Sequence, residues 1–142
     1  MGYLVNRRQF TVEWGHCDPA GIVFNSRFFE YFDASSWALF DAALGVQPSH
    51  LAATFDIVGI PLVDARARFM VPVRFGDSID ILSTIGAFRR SSFDVQHRLL
   101  VDGAVAVEGS ETRVWAAIDK DDPARLKSRP IPAEIIERFK AR

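Results

Sequence analysis

The sequence predicts an α+β fold in which one curved antiparallel sheet of about five strands wraps around one long central helix. Only one long stretch, residues 26–44, has apolar side chains at the three- and four-residue spacing of an amphipathic helix. One alternating, strand-like stretch precedes it and four follow it. A long helix between a first strand and a series of strands joined by short turns must cover one face of their sheet.

The overall composition is that of an ordinary globular protein. The chain has 142 residues, of which 49% are hydrophobic and 25% are charged, and its formal net charge is -1. We therefore expect a single domain spanning residues 1–142, with no nucleic-acid partner and no attachment to a membrane. The N-terminal residues show no signal-peptide pattern. The single cysteine, Cys17, is typical of a reducing compartment, and we expect a cytoplasmic protein.

The first strand leads into an irregular loop. Residues 7–14 alternate apolar and polar side chains, so a half-buried strand is expected there, with Trp14 on its buried face. The loop covers residues 15–24. Asp18 precedes a proline and starts a turn, and Gly21 tolerates backbone angles that other residues avoid.

The long helix is expected to begin with Asn25 or Ser26 as its capping residue and to end at Gly45. Its aromatic residues are so dense that we expect it to be covered on more than one side. The face predicted to be buried consists of Phe29, Phe32, Ser36, Leu39, Phe40 and Ala43.

Residues 48–55 look like a short helical connector, and four alternating segments follow. Because short turns join these segments, we expect them to form neighbouring antiparallel strands. Their buried faces begin at Val63, Ile79, Phe93 and Val105.

Local signals refine the strands of this second half. Pro72 indicates an edge strand or a bulge, and the dipeptide Asp102-Gly103 indicates a tight hairpin. The alternation changes parity at Gly109, where a bulge is expected. Residues 121–132 should be irregular, and a short amphipathic helix should start at Pro132. A curved sheet around a central helix in this order is the hot-dog architecture, and by topology alone the same order also fits several other α+β folds.

Asp18 is the strongest candidate for chemistry. It lies on a turn beside the start of the long helix, where free backbone N–H groups carry about half a positive charge. Such a site can polarise a carbonyl oxygen while the carboxylate attacks the carbon or activates water. The structural alternative is that Asp18 only starts the turn, and residue spacing alone leaves both interpretations open.

The other polar candidates are weaker. His16 and Cys17 are adjacent, so in an extended segment their side chains point to opposite faces and do not form a thiol–imidazole pair. His97 lies on the apolar face of its strand and is expected to be a hydrogen-bonded core residue. No spacing of ligands resembles a zinc site. Residues 89–92, Arg-Arg-Ser-Ser, form either an ordinary solvated turn or a turn that binds phosphate oxygens.

Three segments together resemble the 4-hydroxybenzoyl-CoA thioesterase family of hot-dog proteins, in the branch with an aspartate on the loop before the central helix. They are Gly15-His-Cys-Asp-Pro-Ala-Gly-Ile-Val23, Tyr31-Phe-Asp-Ala-Ser35 and Phe88-Arg-Arg-Ser-Ser-Phe93. The resemblance spans nearly the whole chain, and the Asp-Pro-Ala-Gly loop is its most specific part.

The resemblance implies hydrolysis of an acyl-CoA thioester to a free acid and coenzyme A, without a metal or redox cofactor. Asp18 would match the catalytic carboxylate, as nucleophile or as general base, and the backbone N–H of Asn25 would match the donor to the thioester carbonyl. Arg89, Arg90 and Ser91 would match the turn that meets the CoA phosphates.

The resemblance further implies a substrate-binding loop that includes Gly21, and an assembly of more than one chain. The family builds its sites across a dimer interface and commonly pairs dimers into tetramers. The chain departs from the family at position 16, where His replaces an acidic residue, and at the helix entry Phe24-Asn25-Ser26, which is less aromatic and lacks the family's proline. These departures leave the acyl group open, including whether it is aromatic.

Two other functions remain as alternatives. A hot-dog hydratase or dehydratase often has a His five residues after its Asp, and Val23 occupies that position here. A non-catalytic acyl-CoA binding module would not need the carboxylate that this chain retains. Release of free thiol from acyl-CoA esters distinguishes both from a thioesterase.

Overall fold

The computed structural model describes residues 2–141, so the first and last residues of the expected domain lie outside the described range. The strands are β1 (Asn6–Thr11), β2 (Leu62–Phe69), β3 (Ser78–Phe88), β4 (Ser92–Val101), β5 (Ala104–Val114), β6 (Ala116–Ile118) and β7 (Leu126–Ser128). The helices are α1 (Asn25–Leu44), α2 (Leu51–Phe55) and α3 (Ala133–Arg138). No helix within residues 2–141 has the length and apolar character needed to cross a membrane.

Five strands form one antiparallel sheet in the order β1-β3-β4-β5-β2. Helix α1 contacts β1 and β2, at the two edges of the sheet, as well as β3. A sheet whose two edges both reach one helix must curve around it, which confirms the predicted hot-dog architecture.

One predicted strand pairing is wrong. β2 pairs with β5, although β3 follows it in the chain. The free side of β3 is taken by β1, with Asn6 opposite Ser83 and Thr11 opposite Ser78. β2 can therefore join the sheet only at its far edge, beside β5, and its own outer edge has no partner strand within residues 2–141.

Helix α1 is buried along a slightly different stripe from the one predicted. Phe29 is exposed, whereas Phe28 and Tyr31 are buried. The expected side-chain cap is also absent, because Phe24 occupies the capping position and makes no side-chain hydrogen bond. Gly45 ends the helix in the left-handed conformation, at φ 68°, as predicted.

The first strand is shorter than predicted. It ends at Thr11, and a short 3-10 helix (Trp14–His16) follows, in which the backbone N–H of His16 donates to the carbonyl of Glu13 at 3.1 Å. This turn breaks the alternation, so Trp14 is 57% exposed instead of buried.

The predicted bulge in β5 lies at Ala106 instead of Gly109. The register against β4 shifts between Leu99 and Leu100, and Ala106 accepts hydrogen bonds from residues 70 and 71. Gly109 has a different role, since a Cβ there would come within 2.6 Å of the Phe32 ring. Only glycine allows that ring to pack on the strand.

The remaining local predictions have mixed outcomes. Asp102 and Gly103 form the tight hairpin with φ values of 51° and 80°, and α3 follows Pro132 as expected. The connector at residues 48–55 is helical, as predicted. Residues 121–132 are not entirely irregular, because β7 pairs with β6 in a separate two-stranded sheet.

Candidate active site

The loop that carries Asp18 is a tight hairpin whose two arms are joined by backbone hydrogen bonds. The N–H of Phe24 donates to His16 at 3.0 Å, and the N–H of Asp18 donates to Ile22 at 2.9 Å. The chain reverses at Gly21, whose φ of 80° is in the left-handed region that favours glycine. The hairpin, residues 16–24, ends directly at the first residue of α1.

The Asp18 side chain has a structural contact as well as an available oxygen. Its Oδ1 accepts the backbone N–H of Ala20 at 2.9 Å, which is the contact of an aspartate that starts a turn. The other carboxylate oxygen has no hydrogen-bond donor in the hairpin. The turn therefore orients the carboxylate and still leaves one oxygen available for a reaction.

Asn25 is the first residue of α1, so its backbone N–H has no acceptor within the helix. Phe24, at the capping position, supplies no side-chain acceptor in its place. The start of α1 thus presents a free donor and the positive end of the helix dipole, which together favour an oxygen that carries negative charge.

A cleft of about 340 Å³ lies beside this helix start, between α1 and the end of β2. Its walls are mostly apolar, and the rings of Phe28 and Phe69 lie 5.3 Å apart within it. Asn25 lines the cleft, and Asp18 does not. The volume and apolar lining are typical of a site for a small organic group.

The turn at residues 89–92 lies at the opposite end of the sheet. The other end of the sheet holds the hairpin that carries Asp18. This hairpin is attached near the start of β3, where the carbonyl of Gly21 accepts the N–H of Phe75 at 2.9 Å. Because β3 has 11 residues, its two ends are about 30 Å apart at roughly 3.3 Å per residue. A single chain therefore does not bring Arg89, Arg90 and Ser91 together with Asp18.

The two arginines of this turn differ in their surroundings. Arg89 donates two hydrogen bonds to the Asp94 carboxylate, at 2.9 and 2.8 Å, and a third to Ser92 at 2.9 Å. The Arg89 hydrogen bonds lower the pKa of Asp94, and the same contact raises the pKa of Arg89. Arg90 is exposed and takes part in none of the ion pairs within residues 2–141.

His16 and Cys17 do not form a pair, as predicted. Cys17 Sγ lies 3.6 Å from the carbonyl of Glu13, whereas His16 Nδ1 lies 2.9 Å from the Tyr31 hydroxyl. No group of three or more His, Cys, Asp or Glu side chains within residues 2–141 could hold a metal ion.

His97 is a buried, hydrogen-bonded residue, as predicted. Its Nδ1 lies 2.7 Å from the hydroxyl of Ser83, and its Nε2 lies 3.1 Å from the hydroxyl of Ser36. Ser36 also donates to Glu111. These groups are 3% exposed or less, so the arrangement supports packing of α1 on the sheet instead of forming an accessible site.

The residue pattern of the sequence did not lead us to predict the buried ion pair between Glu111 and Arg113. Burial alone would raise the pKa of Glu111, but hydrogen bonds to His97, Ser36 and Arg113 lower it to about 2. Arg113 donates to Glu111 at 3.0 Å and to Asp33 at 2.6 Å. Alternation from Val107 onwards, without an assumed bulge at position 109, would have placed both charges inside.

Comparisons with known proteins agree with this architecture. A sequence profile of the thioesterase-like superfamily matches residues 12–139. The 4-hydroxybenzoyl-CoA thioesterase of Pseudomonas sp. strain CBS-3 is 32% identical over 135 residues, covering 91% of this chain and 93% of the enzyme. Its solved structure superposes with a TM-score of 0.84 at 31% identity, over 94% of this chain and 98% of that one.

A solved gentisyl-coenzyme A thioesterase is similarly close, with a TM-score of 0.78 and 30% identity over 92% of this chain and 99% of that chain. By name, both relatives are hydrolases of CoA thioesters. The region that matches the superfamily profile, residues 12–139, includes the Asp18 hairpin and α3. The chain belongs to the thioesterase-like superfamily.

Proposed function

We propose that this protein hydrolyses an acyl-CoA thioester to a free acid and coenzyme A, with Asp18 as the reacting carboxylate. The observation that carries the proposal is the hairpin itself. It orients the Asp18 carboxylate through one oxygen and runs directly into the free N–H of Asn25 at the start of α1. The relatives with thioesterase activity support the reaction class.

In the proposed reaction, the Asn25 N–H donates to the thioester carbonyl oxygen and stabilises the negative charge that develops there. The Asp18 carboxylate then acts in one of two ways. As nucleophile, it bonds to the carbonyl carbon, the C–S bond breaks, coenzyme A leaves as a thiolate, and water hydrolyses the mixed anhydride. As general base, it takes a proton from the water that attacks the same carbon, after which the C–S bond breaks and coenzyme A leaves as a thiolate.

The apolar cleft beside Asn25 is the proposed site of the acyl group. Its volume of about 340 Å³ suits a small ring or a short chain, and the aromatic side chains of Phe28 and Phe69 are part of its lining. Gly21 is part of the proposed substrate-binding loop, because a residue without a side chain allows the backbone to approach the substrate closely. A 4-hydroxybenzoyl-like acyl group is the first candidate, given the relatives.

A panel of benzoyl-, hydroxybenzoyl-, phenylacetyl- and short- to long-chain aliphatic CoA esters tests the function directly. The readout is release of free thiol. Turnover of any ester supports the proposal, and the pattern across the panel identifies the acyl group. Binding of the esters without thiol release would instead indicate a binding module, and intact esters throughout would reject the thioesterase.

The distance between Asp18 and the arginine turn requires a second chain if both contact one substrate. We propose that the protein forms a homodimer, or a tetramer of two dimers, in which one subunit supplies Asp18 and another supplies Arg89, Arg90 and Ser91. The unpaired outer edge of β2 supports such an assembly, since exposed strand edges readily pair with another chain. Apolar residues exposed on β2 or directly after it are Leu62, Val63, Phe69, Met70 and Val71.

A charge on this edge should weaken the assembly. Val63→Lys places an ammonium group at a 60% exposed apolar position on β2, and we expect the dimer Kd to rise at least about tenfold. Sedimentation velocity over a dilution series measures the change. Ile118→Lys, at a 51% exposed apolar position on β6, is the matched control and should leave the assembly unchanged. A monomeric wild-type protein would contradict the proposal.

The arginine turn should contribute to substrate binding more than to turnover. Arg90→Ala is expected to raise KM for the CoA ester about fivefold or more, since charge-assisted hydrogen bonds contribute about 1–3 kcal/mol. Arg89→Ala should have the smaller effect, because Arg89 already pairs with Asp94. Both effects should shrink for an ester of N-acetylcysteamine, which lacks the nucleotide phosphates. An unchanged KM in the double variant would remove this turn from the site.

We further propose that residues 1–142 act as one thioesterase domain in the cytoplasm. The superfamily profile extends over residues 12–139, which supports a single functional unit. The free thiol of Cys17 supports a reducing compartment.

A further inference from the structure

The hairpin is joined to α1 by a side-chain hydrogen bond that the thioester chemistry does not itself use. His16 Nδ1 lies 2.9 Å from the hydroxyl of Tyr31, and the two rings are tilted at a centroid distance of 5.4 Å. His16 lies two residues before Asp18 on the first arm of the hairpin. Tyr31 lies on α1, about 9 Å along the helix axis from Asn25.

Backbone hydrogen bonds do not make this connection. Those between His16 and Phe24, and between Asp18 and Ile22, hold the two arms of the hairpin to each other. Other backbone bonds attach the second arm to residues 73–75, through Val23 at 2.8 Å and Gly21 at 2.9 Å. None of these bonds joins the first arm to the body of α1 beyond its first turn, where the contact is made by side chains. The His16–Tyr31 bond ties the arm that carries the carboxylate to the helix that carries the N–H donor.

The surroundings favour a neutral Tyr31 that donates to His16. Tyr31 is 6% exposed, and burial, followed by smaller effects of nearby charges, raises its pKa to about 12. The phenol therefore keeps its proton throughout the physiological range. The Glu13 carboxylate, 4.0 Å from His16 Nε2, favours the imidazole tautomer with its proton on Nε2, in which Nδ1 accepts from the Tyr31 hydroxyl.

The other charged groups around this bond already have partners. They line a cleft of about 440 Å³ between β1 and α1. Arg27 pairs with Glu30 at 3.0 Å, and Arg8 donates to the hydroxyl of Ser35 at 2.9 Å. Neither arginine forms an ion pair with Glu13, so the His16–Tyr31 bond is not part of a larger salt-bridge network.

We infer that His16 and Tyr31 are positioning residues that hold the Asp18 carboxylate at its working distance from the Asn25 N–H. The inference rests on the proposed function, because that distance matters only if both groups act on one carbonyl. The physical reason is that misplacing a reacting group by about 1 Å can cost up to about 100-fold in rate. Neither side chain needs to touch the substrate for this role.

The test compares kcat and KM for the best CoA ester of the panel. Tyr31→Phe removes only the hydroxyl, and we expect kcat to fall about tenfold while KM changes less than about twofold. His16→Ala should have the same effect, and the double variant should be no worse than either single one. His16→Asn should recover most of kcat, because its side-chain oxygen can accept the Tyr31 hydroxyl where Nδ1 did.

Tyr3→Phe is the matched control, since Tyr3 lies against Phe88 at the other end of the sheet and should not affect kcat. The melting temperature of each variant is measured alongside, and a loss of kcat that Asn restores at equal stability supports positioning. A wild-type kcat in Tyr31→Phe, or additive losses in the double variant, would overturn the positioning role while leaving the function of Asp18 intact. A wild-type protein that releases no thiol from any ester overturns both proposals.

Discussion

Asp18→Asn should lower kcat for acyl-CoA hydrolysis at least ~100-fold, the low end for loss of a positioned acid–base group. Asparagine matches aspartate in size, and its side-chain oxygen can still accept the N–H of Ala20, as Oδ1 does now at 2.9 Å. The hairpin should therefore keep its shape. What the variant loses is the charge, which both the nucleophilic and the general-base mechanisms require. Thiol release under saturating substrate measures the effect.

Asp122→Asn is the matched control for this prediction. The Asp122 carboxylate accepts the N–H of Ala124 at 3.2 Å, the same type of turn contact two residues along the chain, but it lies in the exposed segment before β7. Its substitution should leave kcat unchanged. Near-normal turnover in Asp18→Asn would show that Asp18 only shapes the turn, and the proposed mechanism would then be wrong.

Arg113→Met should destabilise the fold by about 3–5 kcal/mol, the typical cost of removing one partner of a buried ion pair. Arg113 is 2% exposed and donates to Glu111, Asp33 and the carbonyl of Ile60. Methionine fills part of the space but leaves the Glu111 carboxylate, itself 3% exposed, without its cation. Equilibrium unfolding in urea at neutral pH measures the loss.

The pH dependence of this effect has a defined sign. The folded-state pKa of Glu111 is lowered from 4.5 to about 2, so its stabilisation is complete above pH 4.5 and is lost as the pH falls towards 2. Without Arg113, the ionised form of Glu111 is less favoured in the folded protein. Because this carboxylate is protonated at low pH in both proteins, the difference in free energy of unfolding between wild type and Arg113→Met should narrow in acid. Arg7→Met, which removes an exposed pair with Asp80, should cost about 1 kcal/mol or less at neutral pH. An equally small loss in Arg113→Met would contradict the structural role.

Elements defined by local patterns could be predicted well. The apolar spacing of residues 26–44 predicts α1, and the left-handed Gly45 ends it as expected. The alternation that starts at Ile79 and at Phe93 predicts the buried faces of β3 and β4. Asp102-Gly103 specifies a hairpin because its two residues tolerate positive φ. In each case the determining interactions lie within a few residues of one another.

The candidate site was predictable to a similar degree. The sequence places an aspartate on an irregular turn before a helix, and the structure shows that turn as a tight hairpin. Spacing could not distinguish a reacting carboxylate from one that only starts a turn. It also missed the His16–Tyr31 bond, since the two residues are 15 positions apart and meet only when the hairpin folds back on α1.

The sequence by itself therefore determined the order of the elements, the central helix and the Asp102-Gly103 hairpin. It also determined that the chain belongs to a thioesterase family. Only the tertiary structure decided that β2 pairs with β5 and that the bulge lies at Ala106, and the position of the bulge is what turns Glu111 and Arg113 towards the core. The structure also separated Asp18 from the arginine turn by the length of β3. Strand order, register and burial depend on contacts between distant segments, and no local pattern in the sequence encodes the energies of those contacts.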